Sequence, residues 1–132
     1  MIGIKVTKDS NIVAKVVILN KEGKALLLTR SNYKKKNANE LDLPGGHIHI
    51  GEKKKCGLFR EVEEETGLKI NKAKFFKRKD NIFYYYCHLE NIGKIKLSNE
   101  HTDHAFYDIS YLKDDEKFQK IAIEVMERFY ND

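Results

Sequence analysis

Gly46-His47-Ile48-His49-Ile50-Gly51-Glu52-Lys53-Lys54-Lys55-Cys56-Gly57-Leu58-Phe59-Arg60-Glu61-Val62-Glu63-Glu64-Glu65-Thr66-Gly67-Leu68 is the stretch from which the rest of the chain is read. Leu43-Pro44-Gly45 leads into it. The residues imply a short loop feeding a helix over 52–66, with Gly67 where a helix end favours positive φ. Glu61, Glu64 and Glu65 stand at i, i+3 and i+4, and at about 100° per residue they share one stripe of that helix. Like charges so placed repel, and a divalent cation removes the conflict, because carboxylate oxygens suit Mg²⁺ and Mn²⁺. A solvated acidic face is the plain alternative. Against it, the carboxylates border an apolar stripe of Leu58, Phe59 and Val62, and Arg60 and Glu52 form an opposite-charge pair able to tie loop to helix.

Composition narrows the classes. The chain has 132 residues, 41% hydrophobic and 34% charged, which fits a single globular domain over 1–132. No apolar run reaches the ~18 residues of a membrane span. Residues 1–10 mix Ile and Val with Lys and Asp, unlike a signal peptide. Cys56 and Cys87 lack C-x-x-C spacing and read as small buried thiols in a reducing cytoplasm. The net charge of +5 suits polyanionic partners without specifying one.

Aliphatic, β-branched residues over 12–19, broken by Ala14 and Lys15, predict a buried strand. A turn at Asn20-Lys21-Glu22-Gly23 returns it into a second strand over 24–30. Residues 1–11 read as a short edge strand, and 31–40, with Lys34-Lys35-Lys36, as a polar loop. Residues 41–43 are extended before Pro44, and Gly45 and Gly46 mark a tight turn that admits a ligand close to the backbone. Strands are expected over 69–79 and 82–89, joined at Asp80-Asn81, with shorter ones over 94–97 and 105–109. Phe118, Ile121, Ala122, Val125, Met126 and Phe129 repeat at helical spacing, predicting a helix over 114–130 with Asp114, Asp115 and Glu116 at its N-terminus. This order fits a mixed α/β sheet covered by a helix on each face.

The residues 46–68 resemble the Nudix box: G, five residues, E, seven residues, then R-E-U-x-E-E-x-G-U, where U is bulky and aliphatic. Every specified position is filled. Outside the box the resemblance extends to Leu43-Pro44-Gly45, Leu26-Leu27-Leu28-Thr29-Arg30, and Glu100-His101-Thr102-Asp103 with Phe106. It implies a Nudix-type α/β/α sandwich and a Mg²⁺- or Mn²⁺-dependent hydrolase that cleaves the P–O–P linkage of a nucleoside diphosphate derivative. Nucleoside triphosphates, dinucleoside polyphosphates and ADP-ribose are candidate substrates, and an RNA 5′ end a less favoured one. It further implies Glu61, Glu64, Glu65 and the Gly45 carbonyl as metal ligands, with Glu61, Glu64 and Glu100 as catalytic candidates. Arg30, Gly46 and His49 are candidate substrate contacts, and Glu52 and Arg60 brace the box. Many relatives carry a carboxylate at the position of His49 and Trp at that of Leu41. The roles of His47 and Asp103, and which group acts as base, stay open. A homodimer is one expectation, and a non-catalytic nucleotide-sensing module on the same fold is the alternative function.

Overall fold

A computed structural model describes residues 9–31 and 39–130. The basic run Lys34-Lys35-Lys36 and most of the expected N-terminal edge strand lie outside the described residues. The elements are β1 (Asp9–Leu19), β2 (Ala25–Arg30), β3 (Leu41–Asp42), β4 (Gly45–His49), α1 (Lys54–Thr66), β5 (Lys74–Lys79), β6 (Ile82–His88), β7 (His101–Tyr107) and α2 (Lys117–Tyr130). A 3₁₀ turn, Ile109–Tyr111, joins β7 to α2. This is the expected mixed sheet between two helices.

β1 is the axis of the sheet. One edge runs parallel to β6, from Val13↔Ile82 to Leu19↔His88. The other edge is shared. Near its start β1 pairs antiparallel with β4, and at its end it meets β2 only at Leu19↔Ala25. The expected β1–β2 hairpin therefore splays. β2 leaves β1 to pair with β7, from Ala25↔Tyr107 to Arg30↔His101, and with β3 through Leu28↔Asp42. The space opened by this divergence is where β3, β4 and the start of β7 come together.

The two-residue alternation of the strands builds two cores. Ala14, Val16, Ile18, Leu26, Leu28, Tyr85 and Cys87 face α1, where they meet Leu58 and Val62. Val17, Leu19, Leu27, Ile82 and Tyr84 face α2, where they meet Ile121, Ala122, Val125 and Met126. α1 ends because Gly67 takes φ 76°, and its amide closes on Glu63 O at 2.8 Å. Among the described residues no helix is long and apolar enough to cross a membrane.

Several expectations change. β5 begins at Lys74, not at 69, because Leu68, Ile70 and Ala73 drop into the core before the chain turns outward. Residues 94–97 form no strand. Instead, the amides of Lys96 and Ser98 satisfy the carbonyls of Thr66 and Glu65 at the end of α1, at 2.8 and 3.0 Å. β7 starts at His101, earlier than its composition suggests, because β2 offers it a partner along its whole length. α2 starts at Lys117. Asp114, Asp115 and Glu116 form the turn ahead of it, held where Gln119 Oε1 accepts the Lys113 amide at 2.9 Å. Cys56 is exposed, one residue off the buried face of α1, while Cys87 is buried as expected.

Leu58 and Leu27 are fully buried in opposite layers. Leu58→Ala and Leu27→Ala are each expected to cost about 2–5 kcal/mol of stability. In urea unfolding the double variant should lose the sum of the two to within about 0.5 kcal/mol, and a large deviation would show that the layers are coupled.

Candidate active site

Gly45 begins β4 at φ 131°, and a Cβ there would lie 2.1 Å from Ala14 O. Only glycine allows the chain to pass this close to β1 in that conformation. The segment expected as a tight turn is thus a short strand, with Lys15↔Gly45, Ala14↔Gly46 and Val13↔His47 as pairs.

From β4 the chain turns through Glu52 into α1. Glu52 Oε1 accepts from the His49 amide at 2.9 Å and from Arg60 Nη2 at 3.1 Å, and Oε2 accepts from Arg60 Nε at 3.0 Å. Arg60 Nη2 also donates to His47 O at 3.1 Å. Its Nη1 donates to Glu61 Oε2 at 3.0 Å and reaches Glu64 Oε1 at 3.4 Å. The bonds from Arg60 hold the Glu52 carboxyl below its ordinary range, and Glu52 in turn raises Arg60 further.

The three carboxylates expected on one stripe occupy three environments. Glu64 has a 59% exposed side chain in contact with Arg60. Glu61 is half-buried and lies so close to Gly46 that a Cβ there would fall 2.1 Å from its Oε1. Burial raises Glu61, and the Arg60 bond works against that rise. Glu65 is on the buried face of α1 with Leu58 and Val62, and its Oε1 accepts the Gly45 amide at 2.9 Å. Burial pushes its carboxyl up to about 8, although Lys15 and the Gly45 amide pull the other way.

Behind Glu65 lies a charged group that the sequence reading did not assemble. Lys15, 7% exposed, donates to Asp42 Oδ1 and Leu43 O at 3.0 Å and to Gly45 O at 3.4 Å. Asp42 Oδ2 also accepts from Arg30 Nη1 at 3.1 Å and lies 3.0 Å from His101 Nε2. Burial works against an ionised Asp42, but Lys15 and His101 override it and hold the carboxyl well below its usual range. An ionised carboxylate only accepts, so His101 Nε2 carries the proton on that side. His101 Nδ1 and Arg30 Nε are buried without a partner among the described residues. The signal for this group was a lysine inside an aliphatic strand and an aspartate between Leu41 and Leu43.

A cavity of about 700 Å³ joins these parts. Gly45, Gly46, Glu61, Glu65, Glu100 and Arg30 line it, which brings most of the candidate residues together. Glu64, Glu52, Arg60 and His49 are outside the lining. His49 Nδ1 instead lies 3.8 Å from Glu52 Oε1, and His47 is the histidine on the cavity. Asp103 is exposed and accepts the His104 amide at 2.8 Å. None of Phe83, Tyr84, Tyr85 and Tyr86 lines the cavity, whose aromatic is Phe118 of α2, with Leu41 and Ile82 nearby. Tyr84 and Tyr85 are buried.

The donors suit a hard divalent cation, since Glu61, Glu65 and the Gly45 carbonyl offer only oxygen. Among the described residues no three His, Cys, Asp or Glu side chains already converge into a cage. Arg60 draws Glu61 and Glu64 aside, and the Gly45 amide holds Glu65.

Residues 9–129 match the NUDIX domain family. The chain belongs to this family. Its fold and box are those of a Nudix hydrolase. It is similar to a MutT protein from Methanosarcina mazei Go1, at 26% identity and a TM-score of 0.70, over 92% of this chain and 95% of the other. A MutT NUDIX hydrolase from Burkholderia pseudomallei shares the fold at 21% identity and a TM-score of 0.69, over 86% and 95% of the two chains. A C. elegans Ap4A hydrolase shares it at 22% identity and 0.64, over 90% and 96%.

The Nudix chain carries a testable pH signature. Glu65, at about 8 in the fold against an ordinary 4.5, binds its proton more tightly folded than unfolded. The stability this provides is complete below the unfolded value and is lost as pH rises toward 8. The loss is on the order of 4 kcal/mol in metal-free protein. Urea unfolding at pH 5, 6.5 and 8 should show this decline in the wild type and a flatter profile in Glu65→Gln. Equal slopes would contradict it.

Proposed function

We propose that the chain is a Mg²⁺- or Mn²⁺-dependent pyrophosphohydrolase acting on a nucleoside diphosphate derivative. The observation that carries this is the convergence of Glu61, Glu65 and the Gly45 carbonyl on one cavity that also holds Arg30 and an apolar end. Glu61, Glu65 and the Gly45 carbonyl would hold the cation, and Glu64, exposed on the same helix stripe, would be a further carboxylate ligand. A bound divalent cation supplies charge neutralisation at the phosphate oxygens and lowers the pKa of a coordinated water.

The chain's own groups supply the rest. Arg30 faces the cavity with one guanidinium nitrogen fixed on Asp42, which orients it toward a phosphate. Lys15 and Lys117 add two further cations to the lining. Glu61 and Glu100 both face the cavity and are the candidates to take the proton from the attacking water. Leu41, Ile82 and Phe118 form the wall for a nucleobase, with Phe118 as its stacking ring. The cavity volume suits a nucleotide-sized ligand.

A panel of nucleoside triphosphates, dinucleoside polyphosphates and ADP-ribose, assayed with Mg²⁺, Mn²⁺ and EDTA, tests the reading. One class should be cleaved, and only with metal. Glu64→Gln and Glu65→Gln should each lower kcat about a hundredfold or more with the fold retained, as judged by circular dichroism. Full activity with normal metal dependence in both variants would remove these carboxylates from the site.

A further inference from the structure

Lys15 is unusual in its placement. It sits in β1 in register with Gly45 on one side and Tyr84 on the other, among strand residues that otherwise build the cores. Such burial is costly for an ammonium unless it is well partnered. Lys15 has three acceptors, and the Phe118 ring centroid lies 5.3 Å from its Nζ. Asp42 Oδ1 and Leu43 O bind it at 3.0 Å, while Gly45 O is the distant one at 3.4 Å.

That weakest acceptor is the carbonyl assigned above to the cation. The neighbouring amide of the same glycine binds Glu65 at 2.9 Å. Lys15 thus touches the site through the Gly45 carbonyl, on the glycine whose amide binds Glu65. It can release the Gly45 oxygen and keep Asp42 and Leu43 O.

We propose that Lys15 is a resident counter-cation of the metal site. With no metal bound, its ammonium holds the Gly45 carbonyl oxygen in place, and the amide of the same glycine holds Glu65. With a divalent ion arriving, it yields the Gly45 oxygen but remains close, and its charge weakens binding. Lys15 is a positioning residue for the site. A lysine with only a structural role would support the fold, and removing it would not tighten metal binding. This inference rests on the metal site given under Proposed function.

The test is Mn²⁺ titration of the metal-free 132-residue chain, followed by the electron paramagnetic resonance signal of free Mn²⁺. The variants are Lys15→Met, Glu65→Gln and the double variant Lys15→Met/Asp42→Asn, which removes both members of the ion pair. Lys15→Met should bind Mn²⁺ about tenfold or more tightly than wild type. It should also melt lower without metal and recover more on adding Mn²⁺ than wild type does. The double variant should tighten binding in the same direction if Lys15→Met alone does not fold. Unchanged or weaker affinity, in a protein whose wild-type site is lost in Glu65→Gln, overturns the inference and leaves the site in place. Mn²⁺ binding that is absent in wild type, or untouched by Glu65→Gln, overturns the site and the inference together. If neither Lys15 variant folds with or without Mn²⁺, Lys15 is a structural ion-pair member and the inference fails.

Discussion

The attachment of α1 to β4 is the constraint on which the site depends. It is made by three polar side chains acting on backbone. Arg60 and Glu52, bonded to each other, reach His47 O and the His49 amide. Glu65, a turn further along α1, reaches the Gly45 amide. Together these fix both ends of a five-residue strand against the helix. Apolar packing of Leu58 and Val62 brings the helix to the sheet, but packing alone leaves its sliding and rotation weakly defined. Directional hydrogen bonds to backbone set both, and so place Glu61 over Gly46.

This construction uses charge at two levels. Arg60 is partly exposed and compensates carboxylates that solvent also screens, so its role is geometric more than energetic. Lys15 and Asp42 are buried, and there the balance is stricter. Removing one member of a buried pair leaves the other uncompensated, at a cost of several kcal/mol. Asp42 therefore gathers Lys15, Arg30 and His101 from β1, β2 and β7 onto one carboxylate. The same residue type, glutamate, is exposed at 64, half-buried at 61 and buried at 65. Glu61 and Glu65 of this one helical stripe reach a common cavity, and burial raises both carboxyls.

Much of this was legible from the residues. The aliphatic alternation in β1, β2 and α2 specified which side chains are inside, because burial follows periodicity. The spacing of Glu52, Arg60, Glu61 and Glu65 announced a loop braced to a helix. What escaped depended on partners distant in sequence. Gly45 reads as a turn residue until β1 is known to pass beside it. Residues 94–97 look like a strand because extended backbone and strand share a composition. Their hydrogen bonds go to the end of α1 instead. Lys15 looks like an interruption in a hydrophobic run, and only the splaying of β2 from β1 shows the space that receives it. The side of α1 on which Cys56 falls is settled by a single residue step, which composition does not resolve.

Glu61, Glu65 and the Gly45 carbonyl are the proposed ligands of one divalent cation in the cavity. The most direct measurement is anomalous diffraction at the manganese edge from crystals grown with Mn²⁺ and a methylene-bridged nucleoside diphosphate. An anomalous peak is expected in contact with Gly45 O and at least one of the two carboxylates, with the phosphonate oxygens on the same ion and the base against Phe118. A peak elsewhere, or none with the nucleotide bound, would contradict it.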